Sequence, residues 1–174
     1  MFRIVEIEDV VRVSPDKFGE DLRKIAYDWL RSKYVGRVDP IIGLVIAIAD
    51  VEVDPEGIII PGDGATYHST KAKIITFYPI TNEVVEGEVV DVKRIGIFIN
   101  IGPIDAFVHI SQIADDKMVY DEVRGTLTGE ETKITISKGD IVRGRIVNAA
   151  LAPPASIRVG MTLRQPTLGK ISAK

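Results

Sequence analysis

Phe98, Phe107 and His109 are flat, π-bearing side chains in the stretch GIFINIGPIDAFVHIS, residues 96–111. Read as two short strands, successive side chains point to opposite sides. Ile97, Ile99 and Ile101 then share one face of the first strand, and Phe98 shares the other with Gly96 and Asn100. In the second strand Ala106, Val108 and Ile110 form the apolar face, which leaves Asp105, Phe107 and His109 opposite. Gly102 and Pro103 make the turn between them. Rings that share a face with glycine, asparagine and aspartate are either covered by another layer or left wet. Wet, they suit the stacking of nucleotide bases, which contributes roughly 1–3 kcal/mol per base and tolerates any sequence. Lys93, Arg94, Arg143 and Arg145 supply charge that would guide phosphates toward the rings. The alternation over Arg143–Ile146 equally suits an ordinary exposed strand face.

The elements that would hold these residues fall into two groups with different patterning. Residues 1–80 begin with an apolar-rich strand, Phe2–Val13, followed by a helix start: Ser14 as cap, Pro15 at the first helical position, and Asp16, Glu20 and Asp21 near the positive end of the dipole. Phe18, Leu22, Ile25 and Trp29 draw one apolar stripe along it, and Gly36 ends it. Ile41–Val53 then reads as a strand apolar on both faces, as expected where something covers each side. A turn at Asp54–Gly57, a short strand at Ile58–Ile60, a loop and a last strand near Lys71–Tyr78 complete a β-α-β-β-β unit. One helix covers one face of such a sheet. The other must meet the second domain or another chain, in keeping with a mean hydropathy of +0.14.

Pro79–Asn82 marks a boundary, which gives domains of residues 1–80 and 81–174. Beyond it, strands at Val84–Ile95, Gly96–Ile101, Asp105–Ile110, Lys133–Ser137, Asp140–Asn148 and Ser156–Arg164 predict a small all-β barrel, with Gly125–Thr132 as an insertion or hairpin between barrel strands.

Composition bounds the chemistry. The 174 residues contain no cysteine, which excludes disulfides, thiolate metal sites and a cysteine nucleophile. Glu6, Glu8 and Asp9 are unlike a secretory leader, and Ile41–Ala49 is far shorter than the roughly 20 apolar residues a membrane span needs. The expectation is a soluble, cytoplasmic protein with no membrane partner. Net charge is −3, yet nothing after Asp140 is acidic, while Arg143, Arg145, Arg158, Arg164, Lys170 and Lys174 are basic. Such a local basic surface attracts phosphate despite the overall balance. No clustered carboxylates suit two catalytic metals, no phosphate-loop signature occurs, and His68 and His109 lie in separate predicted domains. No catalytic residue, metal or cofactor is expected, and His68 reads as a strand surface residue. The competing enzyme reading is a small RNA-cleaving hydrolase built on Asp63 and His68.

The run VVEGEVVDVKRIGIFINIGPIDAFVHISQI resembles the S-one RNA-binding domain, a five-stranded OB fold, at Val85, Gly87, Val89, Gly96, Phe98, Val108, His109, Ile110 and Ser111. KGDIVRGRIV is similar to the start of that family's fourth strand. The resemblance implies stacking roles for Phe98 and His109, with Phe107 beside them; it departs at Ile95, where many members carry another aromatic. Taken with YVGRVDPIIGLVIAIADV and GIIIPGDGATYHSTKAKIITFYPITNEVVEGEV, nearly the whole chain resembles the E-type subunits of archaeal DNA-directed RNA polymerases, counterparts of the seventh subunit of eukaryotic polymerase II. That implies an α+β RNP-like domain whose tip docks on the core enzyme, followed by an all-β OB-fold barrel. The implied partners are a helical F-type subunit in a heterodimer, the core subunits and single-stranded nascent RNA. Pro61-Gly62-Asp63-Gly64 is a turn by composition, and Gly62, Asp63 and Gly64 are expected at or near the docking tip that the resemblance implies. An exosome or initiation-factor subunit carrying the same barrel is the alternative, which leaves the first eighty residues unexplained.

Overall fold

The computed structural model describes residues 1–152 and 156–171. The chain divides into two compact units, the first formed by Met1–Tyr78 and the second beginning at Pro79.

The first unit is a four-stranded antiparallel sheet with one helix. Its strands are β1 (Phe2–Val13), β2 (Val38–Asp39), β3 (Gly43–Ile59) and β4 (Thr66–Phe77), in the order β1-β4-β3-β2, and α1 spans Leu22–Tyr34. Val11, Val13, Val45, Ile48, Val51, Ala72 and Ile74 on the sheet pack with Ile25, Ala26 and Leu30 of the helix in one buried core. At one end of β1 the opposite face carries Phe2 and Ile4, exposed at 61% and 72%. Asp9 ties the layers together by accepting from Lys33 Nζ and Tyr34 Oη, both at 2.6 Å.

The helix starts later than its caps imply. Pro15–Lys17 forms a single 3₁₀ turn, and the Ser14 side chain makes no capping bond. Gly19, at φ +93°, breaks the path, and α1 begins only after Asp21, whose carboxylate accepts from the Arg23 amide. Phe18 is thereby left outside the stripe and exposed. Instead of a turn and a separate strand at residues 54–60, β3 runs on to Ile59 through a bulge between Val53 and Gly57. His68 is buried beneath that bulge rather than at the surface, with Nδ1 2.9 Å from the Asp54 carbonyl oxygen and Nε2 2.9 Å from Thr66 Oγ1. A Cβ on Gly57 would stand 2.6 Å from the His68 ring, so a glycine is what lets the strand cross it.

The second unit contains β5 (Val84–Lys93), β6 (Gly96–Asn100), β7 (Asp105–His109), β8 (Met118–Asp121), β9 (Thr126–Gly129), β10 (Thr135–Ile136), β11 (Ile141–Ala152), β12 (Ser156–Thr162) and β13 (Gly169–Lys170). Strand order β12-β7-β6-β5-β11, with β11 also paired to β12, closes a five-stranded barrel. Closure pairs each of those five strands on both sides, and the short β13 adds to β11 beside the seam. Ile97, Ile99, Ala106, Val108, Val89, Val142 and Ile146 fill it and are buried. Thr135–Ile136 does not join the barrel as expected; it pairs with β9 in a separate sheet ordered β10-β9-β8. Asp116 braces that insertion by accepting from Thr132 N and Oγ1 and from Glu131 N, which holds its carboxyl down at about 2.

Candidate nucleic-acid interface

The antiparallel pairing of β6 with β7 sets Phe98 directly opposite Phe107, and Gly96 opposite His109. The alternation of burial along both strands sends Ile97, Ile99, Ala106 and Val108 inward, so the three rings emerge together on the outer surface. Phe98 and Phe107 are half-buried and His109 is exposed. Phe98 and Phe107 have ring centroids 5.1 Å apart at 46°, and Phe107 and His109 lie 6.4 Å apart at 73°. Gly96 makes this close array possible: at φ +152° its missing Cβ would meet the Val108 carbonyl oxygen at 2.1 Å and Phe107 Cε2 at 3.0 Å.

The histidine is oriented by the chain that follows it. Its Nδ1 accepts from the Ser111 amide at 3.2 Å and lies 2.8 Å from Ser111 Oγ. With Nδ1 accepting from an amide, a neutral ring carries its proton on Nε2. That N–H is free to donate to a phosphate or a base edge.

The basic residues separate into different situations. Lys93 Nζ lies 5.0 Å from the Phe98 ring centroid, where the cation meets the negative face of the ring, and also pairs with Asp91 at 3.3 Å. Arg94 is engaged by Glu122. Arg143 is held by Glu86 at 2.6 Å on the neighbouring strand. Arg145, on β11, lines a different groove from the rings. Of the basic tail, Arg164 pairs with Asp115 and Lys170 with Asp140, and Lys174 lies outside the described residues. Of the positive charge that follows Asp140 in the sequence, Arg143, Arg164 and Lys170 are thus neutralised in place, while Arg145 and Arg158 have no ion-pair partner among the described residues.

The structure adds residues to the ring cluster that the strand pattern does not point to. β12 pairs with β7 in parallel, Gly160 against Phe107, and a groove of about 660 Å³ runs beside Phe98 and Phe107 along Asn148, Ala150, Arg158 and Gly160. Asn148 Oδ1 accepts from the Gly160 amide at 3.0 Å, and its NH₂ has no hydrogen-bond partner among the described residues. Arg158 is exposed and has no ion-pair partner among the described residues. The readable signal is Arg158 itself within the acid-free carboxyl end; what places it beside the rings is barrel closure.

In the other unit, Asp63 is engaged within its own fold. It accepts from Arg12 Nε at 2.9 Å and Nη2 at 2.8 Å, from Tyr67 Oη at 2.6 Å and from the Ala65 amide at 3.1 Å. Hydrogen bonding from Arg12, then Tyr67, holds its carboxyl well below the ordinary carboxylate range and raises the Arg12 guanidinium. Gly62 occupies φ +93°, and a Cβ on Gly64 would touch Pro15 Cγ at 3.6 Å. Ile58, Ile59 and Ile60, leading into this loop, are exposed. Asp63 is committed to Arg12, and both His68 nitrogens have protein partners, so the two do not form a general-base pair. Among the described residues no cluster of three or more metal-ligating side chains occurs, and no helix is long and apolar enough to cross a membrane.

Comparison with known proteins agrees with this division. Residues 8–64 match the profile described as the SHS2 domain found in the N terminus of Rpb7p/Rpc25p/MJ0397, and residues 78–149 match the S1 RNA binding domain. The chain is 45% identical over 172 residues to the DNA-directed RNA polymerase subunit Rpo7 of Saccharolobus solfataricus, covering 98% of this chain and 96% of the relative. It is 43% identical to the same subunit of Sulfolobus acidocaldarius over 98% of this chain and 93% of the relative. It is 26% identical to the RNA polymerase II subunit RPB7 of Glycine max, over 99% of this chain and 97% of the relative. With an SHS2 unit and an S1 barrel in the same order, and this identity along nearly its full length, the chain belongs to the Rpo7 family of DNA-directed RNA polymerase subunits.

Proposed function

We propose that this protein is a non-catalytic stalk component that pairs with a helical F-type subunit, docks on the core polymerase through its first unit and holds nascent single-stranded RNA on its barrel. The observation that carries the RNA role is the wet array of Phe98, Phe107 and His109 on adjacent strands. Lys93, at the Phe98 ring, and Arg158, along the groove, provide charge at the rings themselves. Arg94 and Arg143 contribute only after exchanging a carboxylate partner for phosphate. Capture is electrostatic first and completed by stacking, so it is largely indifferent to base identity. Holding the transcript near its exit would favour processivity by tethering. Docking falls to the turn Gly62-Asp63-Gly64, shaped by the Arg12 clamp, with Ile58–Ile60 as its apolar contact. The uncovered sheet face at Phe2 and Ile4 is a second apolar surface that a protein partner would cover. The protein would work in the cytoplasm, where transcription proceeds.

The test of the RNA role is a filter-binding titration at moderate salt with the full chain and Phe98→Ala/His109→Ala. Weaker RNA binding with unimpaired association of the helical stalk partner is expected; equal affinity contradicts the role. Recovering large polymerase chains with the protein from a native extract tests the assembly.

A further inference from the structure

A second groove, of about 310 Å³, lies on the outer surface of the same barrel, and the aromatic residues do not line it. Arg145, Asn82, Gln112, Thr162 and Gln165 line it, together with Arg164. The arginines differ in a way that matters. Arg164 is committed to Asp115 and to the Ser111 carbonyl oxygen. Arg145 has no ion-pair partner among the described residues, and its Nε is buried with no hydrogen-bond partner there. The side-chain amides of Asn82, Gln112 and Gln165 have no hydrogen-bond partner among the described residues either; the bonds at Asn82 and Gln112 use their backbone atoms. Glu83, whose Oε2 is likewise unpartnered, does not line the groove. A guanidinium and three amides converging without acceptors of their own form a donor-rich slot. A phosphodiester fits it, offering charge to Arg145 and oxygen acceptors to the amide NH₂ groups.

The strand register connects this slot to the rings. Gly160 on β12 stands beside Phe107, Thr162 lies two residues farther along β12, and Arg145 on β11 is the pairing partner of Thr162. His109 likewise lies two residues beyond Phe107 on the parallel strand. Arg145 is therefore near the level of His109 and two strands away, on the order of 10 Å by strand spacing. The 3₁₀ turn that follows His109 ends at Gln112, which lines the groove.

We infer that the Arg145 groove is a second subsite that grips a phosphodiester of the same RNA strand after it leaves the aromatic platform past His109. This rests on the RNA-binding reading above and adds a direction to it: the strand wraps the barrel from β6 and β7 across β12 toward β11. Short RNA would occupy the platform alone, and longer RNA both subsites.

The experiment is fluorescence anisotropy of the full chain with labelled oligouridylates of three and ten nucleotides, across a range of salt. Arg145→Met is expected to weaken the longer oligomer about tenfold and leave the trimer unchanged. Its salt slope for the longer oligomer should become shallower by about 0.7 per lost phosphate contact. Gln165→Glu, at an exposed position where folding is little affected, is expected to produce the same length-selective loss by placing a carboxylate in the slot. Parental binding of both oligomers by both variants would overturn the groove as a subsite. Phe98→Ala tests the platform separately, because it should weaken both lengths. A normal Phe98→Ala result together with the length-selective loss would support the groove and remove the platform.

Discussion

Phe98 and Phe107 stand opposite each other across β6 and β7, their ring centroids 5.1 Å apart and their planes inclined at 46°. The tilted pair packs ring against ring on the outer surface, half-exposed, while its inward neighbours already fill the core. Binding and stability are therefore separable at these positions.

Either Phe98→Ala or Phe107→Ala should reduce affinity for single-stranded RNA by about 5- to 150-fold, the equivalent of one stacked base. The two effects should be non-additive because each ring braces the other. A double-mutant cycle by anisotropy checks both statements, with circular dichroism showing an intact barrel.

Gly96→Ala should damage the same site by another route. A methyl group there meets backbone at 2.1 Å and the Phe107 ring at 3.0 Å, on a residue at φ +152°. The expected cost is about 2–3 kcal/mol of stability with loss of RNA binding, measured by denaturant unfolding and titration of the surviving folded protein.

Much of this is legible in strand order and little of it in closure. The period-two rows of Ile97, Ile99, Ala106 and Val108 send the rings outward, and alternation on a half-buried strand is a local property that sequence alone records. The parallel contact of β12 with β7 is not local. It brings Arg158 and Asn148 to the rings from residues about forty or more positions away, and no spacing records it. Charge misleads for a related reason: Arg143 and Arg94 are basic in the sequence but face Glu86 and Glu122 across the fold. The expected helix start fails at Gly19, where a positive φ outweighs Ser14 and Pro15 as start signals. His68 goes under the sheet because Gly57 and a bulge open room for it.

The Arg12–Asp63 clamp gives a signed pH dependence. Asp63 has a folded pKa below its unfolded value of about 3.9, so its contribution is present above that value and is lost as pH falls through the folded one. Asp63→Asn should lower the melting temperature at neutral pH and flatten the decline of stability below about pH 4. Thermal melts of both proteins from pH 7 to pH 2 check the difference, which should narrow with acid.

Ile58→Ser together with Ile59→Ser should leave the fold and RNA binding unchanged, since both side chains are largely exposed at 72% and 68%. Incorporation into core polymerase should fall, as measured by co-purification. Bulky replacements at Gly62 and Gly64 should do the same; full incorporation would remove this tip from the docking surface.

The most direct measurement is perturbation of the ring resonances on adding single-stranded RNA to the full chain, read by NMR of labelled phenylalanine and histidine. Phe98, Phe107 and His109 should shift together and saturate at one concentration, while the buried Phe77 ring remains unmoved. RNA binding that leaves all three platform rings unperturbed would contradict the account.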